Sequence, residues 1–160
     1  MSDRFDLRRF MAKAKGEAST LGSARIEAEH LLLALASSPG LAAGRLLSAQ
    51  GLDHAAVDQA LALEFARSLE IAGVRITDFS LPSVRLPLMA ERRMAQSCKL
   101  AFHRGIKVRA ARKDRGFDSL HLLLGLLNAE AGTVTRALDG VEVDRGALSA
   151  AALAELDRAA

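Results

Sequence analysis

The chain has 160 residues, half of them hydrophobic and about a quarter charged, which places it among folded domains and away from disordered segments. Lys plus Arg number 22 and Asp plus Glu 19, a net charge of +3 that is too small to name a polyanion as partner. One cysteine, Cys98, excludes an internal disulfide and a cysteine metal cluster. No apolar run reaches the roughly 20 residues needed to span a bilayer. Met1–Phe10 is too charged for a secretory leader, so a soluble, reduced, cytoplasmic protein is expected.

Abundant Ala and Leu, with three prolines and no Trp or Tyr, favour helices over sheets. Residues 7–21 predict an amphipathic helix: Leu7, Phe10, Met11, Ala14, Ala18 and Leu21 recur at three- and four-residue spacings, and Gly22 stops it. Residues 27–37 are apolar nearly all round and predict a buried helix, broken by Pro39-Gly40. A short helix over 41–50 follows, closed by Gly51. Asp53 caps a fourth that runs through Val57, Leu61, Phe65 and Leu69 to near Gly73. Residues 74–86, with Pro82, read as an extended linker. Pro87 is placed in the first turn of a fifth helix that ends near His103, with Gly105 as its stop. A basic loop is expected next. Residues 118–129 predict a second nearly all-apolar helix, 133–139 a short one, and Asp144 caps a last helix reaching Leu156.

The pattern therefore runs twice. Shifting residues 26–61 by 91 lays them on 117–152 without a gap, and ten of the thirty-six positions are identical, His30/His121, Leu47/Leu138 and Asp53/Asp144 among them. The preceding helix matches at a shift of 83, through Arg9/Arg92, Met11/Met94 and Gly22/Gly105. The difference implies an eight-residue insertion in the second copy, placed at the basic loop. The expected fold is all-α: one domain over 1–160, built from two pseudo-twofold-related four-helix repeats, 1–73 and 87–160, joined by the linker 74–86.

The run Ile26-Glu-Ala-Glu-His-Leu-Leu-Leu-Ala-Leu35, Leu21-Gly22 before it, Leu46-Leu47 and Gly51-Leu52-Asp53 after it, and the recurrence at Leu120-His-Leu-Leu-Leu124 resemble the double Clp repeat. That repeat is the N-terminal domain of the Clp unfoldases, ring ATPases that feed the Clp protease. No Gly-x-x-x-x-Gly-Lys-Ser/Thr run occurs, so this chain looks like the receptor domain without its motor. The resemblance implies a non-catalytic module that captures substrates, adaptors, phosphoarginine-marked proteins or cyclic peptides. It implies an accessory, adaptor or decoy role beside Clp unfoldase and protease components, and no cofactor.

The resemblance also points to residues. Glu29 matches the glutamate of the family's phosphoarginine pocket, where a carboxylate pairs a guanidinium beside a helix N-terminus that favours a phosphate. The plainer reading is a first-turn carboxylate complementing the helix dipole. In the second copy Leu120 replaces that glutamate, and Asp118 is the nearest substitute. Phe5-Asp6 and Leu86-Pro87 stand at the starts of the copies, and Asp6 would repel a phosphate. Phe5, Leu86, Glu91 and Arg92 are the nearest matches to a peptide groove between the first and fifth helices. His30 and His121 read as structural, because no second ligand sits at metal spacing.

The basic segment is a departure from the family. It carries Arg104, Lys107, Arg109, Arg112, Lys113 and Arg115 against Asp114 alone. It reads as an anion or partner contact. The alternative function is a polyanion or nucleic-acid binder acting through residues 104–115, disfavoured because no aromatic residues are interleaved with the cations.

Overall fold

The computed structural model describes residues 5–74 and 93–160. Eight helices account for most of them. In chain order these are α1 (Leu7–Thr20), α2 (Ala28–Ala36), α3 (Ala42–Ala49), α4 (His54–Ile71), α5 (Gln96–Arg112), α6 (Ser119–Leu127), α7 (Thr133–Gly140) and α8 (Arg145–Ala159). Two short strands, β1 (Arg25–Ile26) and β2 (Arg93–Met94), pair in parallel, Arg25 beside Arg93. No helix among the described residues is long and apolar enough to cross a membrane.

The two central helices are α2 and α6. Leu31, Leu32, Leu33 and Leu35 of the first, and Leu120, Leu122, Leu123, Leu124 and Leu126 of the second, are all buried. Each buried leucine contributes about 1.5–3 kcal/mol. Neither helix could hide such a surface inside its own half, so the halves close on each other. The packing obeys a twofold exchange. α1 packs on α2 as α5 packs on α6, α2 touches α7 as α6 touches α3, and α4 lies on α7 as α8 lies on α3.

The caps repeat as well. Asp53 accepts the Ala56 N–H at 2.8 Å, and Asp144 accepts the Ala147 N–H at 2.9 Å. His30 Nδ1 accepts the Glu27 N–H, and His121 Nδ1 accepts the Asp118 N–H. Both histidines thus close capping boxes at the start of the central helices, the structural role the sequence indicates.

The expectations around the fifth helix fail. The fifth helix does not stop at Gly105, and the segment after it is not a loop: Arg104, Lys107, Arg109 and Arg112 all lie on α5. The helix begins at Gln96; residues 75–92, including Pro87 and most of the expected linker, lie outside the described residues. Nor is there an insertion. α1 shifted by 91 falls inside α5, and the left-handed residue ending each helix obeys the same shift, Gly22 at φ 68° and Lys113 at φ 61°.

The reason is steric. Gly105 is a mid-helix contact and not a terminator. A Cβ on it would lie 2.6 Å from the His121 carbonyl oxygen, and one on Gly125 would lie 2.1 Å from the Ala101 carbonyl oxygen. α5 and α6 cross so closely that only glycine fits at these two points.

Candidate docking site

A cavity of about 490 Å³ opens where the halves meet. Its walls are the start of α2 (Ala28, Glu29), the outer side of α5 (Ser97, Leu100, Arg104), and the α6–α7 turn with the first turn of α7 up to Arg136. Glu29 therefore stands in a concave site built from both halves.

Burial pushes the Glu29 carboxyl above its ordinary value. Its own backbone N–H opposes that, the carboxylates of Glu27 and Glu64 add to it, and Arg136 offsets part of it. Arg136 is anchored: its Nε donates to Glu64 Oε1 at 2.7 Å, and Ser68 Oγ donates to the same oxygen at 2.6 Å. Burial alone would raise the Glu64 carboxyl, but these two hydrogen bonds and the Arg136 charge leave it below the ordinary range. Arg104, in the same cavity, makes no hydrogen bond or ion pair among the described residues. Its counterpart at the shift of 91, Lys13, donates to the Ser37 carbonyl and to Ser38 Oγ, closing the end of α2.

The α5–α6 turn is tied down. The His121 Nδ1 accepts the Asp118 N–H, so the ring proton sits on Nε2 and donates to Asp114 Oδ2 at 2.9 Å. Arg112 Nε donates to the same Asp114 oxygen at 2.8 Å and its NH2 reaches Asp157 at 2.8 Å. The His121 and Arg112 hydrogen bonds hold the Asp114 carboxyl below its usual value. Arg112 is thus a tether between α5 and α8.

The remaining candidates separate. Asp118 caps α6, accepting the Leu120 N–H at 2.9 Å, and Asp6 caps α1, accepting the Arg8 and Arg9 N–H groups at 3.0 and 3.2 Å. Phe5 joins a ring cluster, 5.2 Å from Phe10 and 6.0 Å from Phe117, which stacks on His121. Lys113, Arg115, Asp118 and Leu120 line a separate, broad groove with Phe5 and Arg45. Leu86, Glu91 and Arg92 lie outside the described residues. Cys98 is buried, and that burial, reinforced by Glu27, raises its thiol to about 11. Among the described residues no group of His, Cys, Asp or Glu is arranged to hold a metal ion.

What the sequence missed is the cavity's composition. Arg136 and Leu100 carry no local motif, and only the closure of the halves brings them to Glu29.

Paired helical repeats around two greasy central helices, with a concave seat at their junction, define an all-α docking domain. The chain belongs to the Clp repeat N-terminal domain family, whose model matches residues 5–97. Its fold is similar to the crystal structure of the N-terminal domain of the caseinolytic protease associated chaperone ClpD from Arabidopsis thaliana. That likeness has 20% identity, covers 98% of this chain and 99% of that one, and has a TM-score of 0.61. A structure from work on a malarial protein secretion system is similar at 20% identity and a TM-score of 0.65, covering 97% of this chain and 96% of that one. No curated protein sequence matches the chain. Membership makes it a protein-interaction module of the Clp type.

Proposed function

We propose that the chain acts as a non-catalytic receptor of the Clp proteolytic system, as an accessory, adaptor or decoy component that seats a partner or degron in the cavity beside Glu29. The observation that carries this reading is the position of Glu29, half-buried in a cavity that both halves build. A carboxylate there can pair a guanidinium, while Arg104 and Arg136 offer charge to an anionic group on the same ligand. Phosphoarginine carries both. The second copy has lost this chemistry, because Leu120 has no charge to offer and Asp118 is committed to capping α6.

Retention on immobilised Clp unfoldase or protease subunits tests the assignment to the system. Enrichment is expected, and its absence together with no degron binding would contradict it. Fluorescence anisotropy with a phosphoarginine peptide tests the seat. Glu29→Ala should weaken binding about tenfold, the scale of one charge-assisted contact, with the helical signal unchanged. An unaltered affinity would remove Glu29 from the site.

A further inference from the structure

The solvent face of α5 carries a basic stripe. Lys99, His103 and Lys107 recur at four-residue intervals and are exposed, so they form one stripe along the helix, with Arg104 beside it. The helix contains no acidic residue at all. Among the described residues Lys99, Arg104 and Lys107 make no hydrogen bond or ion pair, whereas Arg112 is held by Asp114 and Asp157. Two aliphatic side chains flank the stripe, Leu100 at 38% exposure and Ile106 at 49%. The opposite face, Cys98, Ala101 and Gly105, is buried against the core.

Unopposed like charges along a helix repel one another and cost stability unless a counter-charge arrives. Apolar side chains left among them favour a partner that also brings aliphatic groups. We propose that this face docks an acidic amphipathic helix of a partner protein. Its carboxylates, at four-residue intervals, lie along Lys99, Lys107 and Arg104, and its aliphatic residues cover Leu100 and Ile106. Such a helix matches the stripe in pitch, in charge sign and in its flanking apolar contacts. A nucleic-acid strand would meet the cations and leave the aliphatic flanks unmatched, with no Phe, Tyr or Trp in the stripe for its bases to stack on.

This deepens the docking-module reading and rests on it; the stripe borders the cavity through Leu100 and Arg104. The experiment is fluorescence anisotropy with three probes: a helical peptide of about 20 residues with Glu at every fourth position and Leu between, its Lys-for-Glu counterpart, and a poly-dT strand of similar length. The acidic peptide should bind, more weakly as salt rises toward about 0.5 M, and the basic one should not. Lys99→Glu/Lys107→Glu should reduce that affinity by about tenfold or more. Leu100→Ser/Ile106→Ser should weaken it without changing its salt dependence, while Arg8→Glu/Arg9→Glu on α1 should leave it unchanged. All the substituted side chains are exposed, and circular dichroism confirms that each variant is folded. Equal binding by the α5 variants, an equal loss from the α1 variant, or tighter binding of poly-dT than of the acidic peptide would overturn the proposal. A chain retained by Clp subunits but indifferent to the peptide would overturn it alone and leave the Clp assignment standing.

Discussion

The two halves share a backbone plan and differ in how tightly it is drawn. In the first, α1 packs on α2 with Ala14 and Ala34 at the positions matched by the shift of 91, both fully buried. In the second, the same two positions are Gly105 and Gly125, and α5 presses so close to α6 that a methyl group would strike backbone oxygen. The polar clamps diverge too. Glu64 and Arg136 join α4 to α7, yet their counterparts Glu155 and Arg45 do not pair: Glu155 bonds Arg158 and Arg45 bonds the Gly40 carbonyl. The lysine of the first half closes the end of its own central helix, while the matching arginine of the second stays open in the cavity. The halves share the scaffold, and substitution at matched positions leaves Arg104 open to the cavity where Lys13 is bonded.

Exchanging the crossing residues breaks this comparison most severely. Gly125→Ala should cost about 2–3 kcal/mol by chemical denaturation, because the clash is with backbone and outweighs the gain in helix propensity of about 1 kcal/mol. Ala34→Gly should cost only about 1 kcal/mol. Equal losses would mean the halves cross alike.

A smaller effect follows at the clamps. Arg136→Met should cost about 1 kcal/mol, discounted because the guanidinium is largely exposed while Glu64 is not. Arg45→Met should cost less. Since the folded state lowers the Glu64 carboxyl, its stabilisation is full above the ordinary Glu range and disappears as pH falls through the folded value. The penalty of Arg136→Met should therefore shrink in acid.

Glu29 behaves oppositely. Its raised carboxyl costs stability at neutral pH, and this cost fades as pH falls through the folded value. Glu29→Gln should slightly raise the melting temperature at neutral pH and lose that advantage in acid. A guanidinium ligand should dissociate over the same range. Smallest of all, the thiol of Cys98 should stay unmodified by iodoacetamide at pH 8 while the chain is folded, since burial holds it near 11.

The elements framed by local chemistry were readable in advance. Asp53 and Asp144 announce their helices through side chains that cap them, and the two leucine runs announce the core because no surface helix could carry them. α5 was misread because Gly105 looks like punctuation along the chain, and its purpose appears only when α6 lies across it. The false shift of 83 followed from that misplaced stop. Glu29 was reachable through resemblance to a family. The group around it was not, because Arg104 and Arg136 approach it only after two distant segments fold together.

The central claim is that this is a Clp-type docking module that seats its partner in the cavity between the halves and along the exposed face of α5 beside it. Cross-linking mass spectrometry of the chain captured on Clp components tests it directly, with a lysine-reactive reagent and with Lys13 and Lys15 of α1 as the internal comparison. Cross-links to the partner should concentrate at Lys99 and Lys107. Absence of a complex, or cross-links confined to Lys13 and Lys15 of α1, would contradict the account.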